Sequence, residues 1–196
     1  GWQDQIGGVA GGVKYARSPP GLRPNLAVYQ LDPWLFEAPE AVGRYTLFYT
    51  GATRLAKNIL QEVVDGFNSM DPASLFTVRR IAALADAARE AFSLRDIDRL
   101  AWVIRESWKQ NRLIHPSTTN AEIDGLLAEP GVAENHVAVK LLGAGGGGFA
   151  FFVSRDAVAA ARLREALSAV AQDGGNERAR VVDLSLNRGG LQVTVS

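Results

Sequence analysis

The stretch best equipped for chemistry is Lys140-Leu-Leu-Gly-Ala-Gly-Gly-Gly-Gly-Phe149, a glycine run between two apolar segments. Glycine loses more conformational freedom on ordering than any other residue, so a run of this density needs a physical reason. Gly143, Gly145, Gly146, Gly147 and Gly148 let the backbone reach positive φ and let successive N–H groups converge. That geometry cradles an anion, or lets another segment pack against bare backbone. A flexible Gly/Ser linker is the alternative, but linkers flank domains. This run lies instead between 137–142 and Phe149-Ala-Phe-Phe-Val153, both of which read as buried strands.

Three charged side chains accompany it. Asp4 lies in Gly1-Trp-Gln-Asp-Gln-Ile-Gly-Gly8, near the expected start of a tightly packed helix. There the macrodipole and unpaired N–H groups stabilise a carboxylate. A plain N-cap is the more economical account of the aspartate taken alone, since caps far outnumber catalytic acids, but it does not explain the residues around it. Arg54 and Lys57 open an amphipathic segment whose Leu55, Ile59, Leu60, Val63 and Phe67 follow helical spacing. Basic groups at a helix N-terminus oppose its dipole, so Arg54 there suits a neighbouring anion, although a solvated charged face has the same spelling.

The elements that must position these groups follow from local signals. Segments 26–31 and 45–50 are β-rich and are expected to pair in one sheet. Asp71-Pro72 marks a helix start, with Leu75, Val78, Ala85, Ala88 and Phe92 as its apolar stripe. A second helix is expected over 96–110, with Ile97, Leu100, Ala101, Ile104 and Trp108 inward and Trp102 on another face. Thr119-Asn-Ala-Glu122 reads as a capping box, opening a short helix that Pro130 stops. Capping explains Thr119 more economically than a contact from the Ser117, Thr118 and Thr119 hydroxyls to a sugar. A helix over 156–171 ends at Gly174-Gly175, and strands over 180–186 and 191–195 flank Asn187-Arg-Gly-Gly190 as a hairpin. His115 and His136 have no adjacent Ser or Cys relay and read as surface residues.

Composition narrows the function. With 196 residues, 47% hydrophobic and 21% charged, the chain can bury a sizeable core and is not a disordered segment. The 21 basic and 21 acidic residues cancel, which argues against nucleic-acid or anionic-membrane partners and makes any anion site local. With no cysteine and two histidines, neither a disulfide framework nor a metal site is expected. No apolar run approaches the roughly 20 residues that span a bilayer, and no signal peptide is visible, so a cytoplasmic location is expected. The absence of an initiator Met suggests that Gly1 is not the natural start.

Gly143-Ala-Gly-Gly-Gly-Gly148 resembles the third conserved motif of the GHMP kinases, the family of galactokinase, homoserine kinase, mevalonate kinase and phosphomevalonate kinase. The segment around Asp4 resembles the one that carries the catalytic aspartate in the sugar kinases of that family. Tyr49-Thr-Gly-Ala-Thr-Arg-Leu-Ala-Lys-Asn58 resembles the L-fucokinase and heptose-phosphate kinase branch. The three segments stand in family order and span most of the chain.

The resemblance implies an α+β fold, with a mainly antiparallel sheet backed by helices as in a ferredoxin-like C-terminal domain. It implies a division into 1–43, carrying the catalytic-Asp segment and a strand belonging partly to an N-terminal half, and 44–196, the C-terminal domain. The implied function is part of an ATP- and Mg²⁺-dependent sugar kinase acting on the anomeric hydroxyl of L-fucose or a similar sugar. Asp4 would be the catalytic residue, and the glycine run from Gly143 to Gly148, with Arg54 and Lys57, would face substrate and phosphate. A heptose-phosphate kinase is the alternative, its extra phosphate met by Arg54, Lys57 or Lys109. A non-catalytic metabolite-binding or interaction module is the second. The family's Gly/Ser-rich nucleotide loop has no counterpart in this sequence, so the polypeptide alone is expected to be inactive without the N-terminal half.

Overall fold

The computed structural model describes residues 2–19, 21, 23, 25–52, 64–65, 68–69, 71–143 and 145–193, with side chains from residue 5 onward. Its strands sort into two sheets. Strands β1 (Val13–Arg17) and β2 (Ala27–Leu31) form an antiparallel pair, Val13 opposite Leu31 and Arg17 opposite Ala27. Strands β3 (Tyr45–Tyr49), β4 (Ala138–Leu141), β5 (Phe149–Val153) and β6 (Arg180–Val182) form the main sheet, in the order β4-β5-β3-β6 and antiparallel throughout. Helices enter between β3 and β4 and again between β5 and β6, the split βαβ connection of a ferredoxin-like sandwich. The α+β expectation is met.

Among the described residues the helices are α1 (Trp2–Val9), α2 (Pro39–Val42), α3 (Pro72–Leu94), α4 (Ile97–Ile114), α5 (Ala121–Ala128), α6 (Pro130–Ala133) and α7 (Ala157–Asp173). Side-chain caps set the starts of α3, α4, α5 and α7, satisfying N–H groups that have no intrahelical partner. Asp71 accepts from Ser74 N, Asp96 from Arg99 N and Asp156 from Ala159 N, each 2.7 to 2.8 Å away.

Strand alternation then sends side chains to opposite faces of the main sheet. Phe48, Val139, Leu141, Ala150 and Phe152 pack with Leu163 and Leu167 of α7 and Ile123 of α5. Tyr45, Ala138, Phe151 and Val153 pack with Ala41 and with Ala101 of α4. A third cluster of Leu35, Ala91, Phe92 and Leu100 joins α3 and α4 to the 3-10 turn Pro33–Phe36.

Several expectations are corrected. Segment 27–31 does not pair with 45–49, because β1, close by in sequence, takes β2 as its partner. The glycine-rich start hides β1 from a pattern reading. In α3, Ala85 is exposed while Thr77 and Leu84 are buried, so the stripe lies slightly round the helix from the one expected. The cap of α5 is Asn120, whose Oδ1 accepts from Ile123 N at 2.9 Å, while Thr119 Oγ1 donates to Asp124 instead.

The expected C-terminal hairpin does not form within the described residues. Strand pairing is limited to Arg180–Val182, and Asn187 Oδ1 accepts from Gly189 N and Gly190 N. That turn docks on the end of α1: Gly12 N donates to Asn187 O at 2.8 Å and Leu191 N to Val9 O at 3.1 Å. The histidines are half-buried rather than surface residues. His115 Nδ1 accepts from Ser117 N, and His136 Nδ1 lies 2.7 Å from Val132 O with its ring edge-on to Phe152.

Candidate active site

The glycine run joins β4 to β5 and is held between two segments distant in sequence. On one side is the turn after α4, Pro116–Thr118 followed by the α5 cap. Gly146 N donates to Thr118 O at 2.7 Å, and Asn120 Nδ2 donates to Gly146 O at 3.2 Å. On the other side is the end of β3. Gly148 N donates to Ala52 O at 3.0 Å, while Thr50 N and Thr50 Oγ1 both donate to Gly148 O, at 2.8 and 3.0 Å.

Both contacts require glycine. At Gly145 (φ 86°) a β-carbon would lie 2.4 Å from Thr118 O, and at Gly147 it would lie 2.7 Å from Ala52 O. Neither oxygen has room to retreat without breaking the bonds that fix the loop. The structure therefore uses bare backbone for close packing at alternate glycines.

The N–H groups divide in the same alternating way. Those of Gly146 and Gly148 are taken by protein carbonyls. Gly145 and Gly147 donate to no acceptor among the described residues, although Gly147 is buried. A buried N–H with no acceptor among the described residues is a candidate donor for a ligand anion or water.

The remaining sequence-derived candidates are placed as follows. Asp4 lies in the first turn of α1, where the helix dipole favours a carboxylate. The glycine face of α1 is open, since a β-carbon on Gly7 or Gly8 would meet nothing within 4 Å; the expected tight packing is not seen there. Gly143 sits at the loop entrance, where a β-carbon would also meet nothing within 4 Å. Arg54 and Lys57 fall outside the described residues. Lys109 is exposed on α4 and paired with Glu106 at 2.7 Å.

No family model matches the chain. Over all 196 residues it is 33% identical to the L-fucokinase/L-fucose-1-P guanylyltransferase of Bacteroides fragilis, spanning 20% of that protein. Over 152 residues, 78% of the chain, it is 28% identical to the D-glycero-alpha-D-manno-heptose 7-phosphate kinase of Campylobacter jejuni, spanning 43% of it. Its fold matches the crystal structure of L. major mevalonate kinase in complex with R-mevalonate, with a TM-score of 0.64 and 14% identity over 92% of this chain and 50% of that one.

The chain belongs to the GHMP kinase family, as its C-terminal region. It spans only a fifth of the bacterial fucokinase relative and less than half of the heptose-phosphate kinase. In this GHMP kinase region the glycine run was legible from its spelling. The residues that grip it, Thr118, Asn120, Thr50 and Ala52, were not. Ordinary capping chemistry accounts for the hydroxyls and amide in sequence, and only the fold brings the Thr118 and Ala52 carbonyls and the Thr50 and Asn120 donors to the loop.

Proposed function

We propose that the chain is part of an ATP-dependent sugar kinase that phosphorylates the anomeric hydroxyl of L-fucose or a similar sugar. The observation that carries this reading is the alternation in the glycine run, which leaves the buried Gly147 N–H and that of Gly145 without a protein acceptor among the described residues. Similarity to the Bacteroides fragilis fucokinase supports the sugar.

Phosphoryl transfer relies on positioning and on stabilising developing charge. In this proposal Gly145 and Gly147 offer N–H donors on the acceptor and phosphate side, and Asp4 orients or deprotonates the sugar hydroxyl. Gly143, Gly146 and Gly148 shape and anchor the loop. Arg54 and Lys57 are proposed for phosphate charge. ATP supplies the phosphoryl group, and Mg²⁺ enters with the nucleotide. Among the described residues no group of three His, Asp or Glu side chains could hold a metal ion, so no step is assigned to a resident metal.

The nucleotide itself is expected to be held by an N-terminal half, to which residues 1–43 partly belong. The two-stranded sheet fits that division, because Val28 and Tyr29 of β2 are left 43% and 50% exposed. Two strands alone are marginally stable in water. The 196-residue chain by itself is therefore expected to release no ADP. No described helix is long and apolar enough to cross a membrane.

The Campylobacter jejuni relative favours a heptose phosphate as the second acceptor. The test is ADP release by the full-length protein with ATP and Mg²⁺, comparing L-fucose with D-glycero-D-manno-heptose 7-phosphate. Release stimulated by L-fucose is expected. Stimulation by the heptose phosphate alone moves the assignment to the second acceptor, and release stimulated by neither overturns both.

A further inference from the structure

Lys140 stands in β4, three residues before the glycine run. Its side chain lies on the sheet face that α4 covers, the same face as Ala138. It is half-buried and forms no salt bridge among the described residues. Burial pulls its ammonium down to about 8. A lysine desolvated without a carboxylate costs stability, so its presence calls for another reason.

Its partner is Asn111 of α4. With the amide oriented so that its nitrogen donates to Ser107 O at 2.9 Å, the Asn111 side-chain oxygen accepts from Lys140 Nζ at 2.7 Å. The backbone carbonyl of the same Asn111 accepts from His115 N at 3.4 Å, and the Thr118 Oγ1 proton is shared between His115 O at 2.8 Å and Asn111 O at 3.2 Å. Thr118 O then accepts from Gly146 N. A closed circuit therefore runs from Lys140 through Asn111 and Thr118 to Gly146, and back along six residues of chain to Lys140.

We infer that Lys140 and Asn111 are positioning residues for the glycine loop. They fix the end of α4, and hence Thr118, at the spacing from β4 that the Gly146 bond and the close approach at Gly145 require. The charge is retained because an ammonium hydrogen bond to an amide oxygen is stronger than a neutral one. This rests on the sugar-kinase reading only where turnover is concerned; the loop geometry is independent of it.

The test uses the full-length protein and the variants Lys140→Met, Lys140→Arg and Asn111→Ala, with site-resolved amide exchange, melting temperature and sugar-dependent kcat and KM. In Lys140→Met, Gly146 N–H exchange should rise about tenfold or more while the β5 amides keep theirs, the signature of a local opening. The melting temperature should hold or rise as the desolvated charge is removed, kcat should fall with KM for sugar little changed, and Lys140→Arg should recover part of it. Asn111→Ala should mimic Lys140→Met in exchange and kcat, and the double variant should be no worse than either single one. If Lys140→Met does not fold, Asn111→Ala decides by the same readings. Unchanged Gly146 exchange, or equal acceleration across β5, overturns the inference. An inactive wild type overturns the sugar-kinase reading and leaves the exchange result to decide this one.

Discussion

Gly146 donates its N–H to the carbonyl of Thr118 at 2.7 Å, and the β-carbon absent from its neighbour Gly145 would stand 2.4 Å from that same oxygen. One carbonyl thus fixes the loop by attraction at one residue and by exclusion at the next. The glycine run is a fitted part, seated between the turn after α4 and the end of β3.

Gly145→Ala should therefore destabilise the fold by about 2 kcal/mol or more, since it adds a backbone clash to a left-handed φ of 86°. Gly143→Ala meets open space at φ 74° and should cost only the conformational part, about 1 kcal/mol. Denaturant unfolding of both variants in the full-length protein checks this. Equal losses would mean that the approach to Thr118 does not constrain the loop.

Ala at position 147 presses on Ala52 O at 2.7 Å and should displace the N–H proposed for substrate. Turnover per folded molecule should fall by roughly tenfold or more, the scale of losing a preorganised donor. Gly147→Ala with lowered stability but normal turnover would confine the loop to a structural role.

Lys140 gives a pH signature. Its pKa is lowered from 10.5 to about 8, so between these values the folded state binds fewer protons than the unfolded one. Stability should rise with pH across that window, by an amount on the order of 3 kcal/mol at about 1.4 per pH unit. Below pH 8 both states are protonated and the penalty is constant. Tyr45 works the other way, since burial raises its phenol from 10.0 to about 12 and the folded state holds its proton longer, which costs stability above pH 10. Chemical denaturation of wild type and Lys140→Met at pH 7, 8, 9 and 10 isolates the lysine. The rise should be smaller in the variant, and parallel curves would contradict it.

Tyr45 is 3% exposed, and its hydroxyl finds no hydrogen-bond partner among the described residues. Its ring is already packed by Phe36 and Phe151 at 5.4 and 5.2 Å. Tyr45→Phe keeps those contacts and removes the orphaned hydroxyl, so stability should hold or rise by up to about 1 kcal/mol. A clear loss in melting temperature would show that the hydroxyl is satisfied.

What the sequence made legible was local. Asp71, Asp96 and Asp156 cap helices within three residues of themselves, and such bonds are written into adjacent positions. The glycine run was visible as a place where backbone must come close to something. What it comes close to was hidden, because Thr118 and Ala52 are brought there by α4, β3 and β5 and have no spelling of their own. The same limit explains the C-terminal misreading. Asn187-Arg-Gly-Gly190 has hairpin chemistry, but Leu191 N finds Val9 O, a partner nearly the whole chain away. Thr119 and Asn120 are both good caps, and only the fold chooses between them.

The most direct test of the sugar-kinase account is sugar-dependent ADP release by the full-length protein carrying Asp4→Asn. The substitution is nearly isosteric at the third residue of α1, so the protein should fold as before. Turnover should fall by roughly a hundredfold or more, the scale of losing a positioned acid or base. Wild-type turnover in a folded Asp4→Asn protein would contradict the account and leave Asp4 a structural residue of α1.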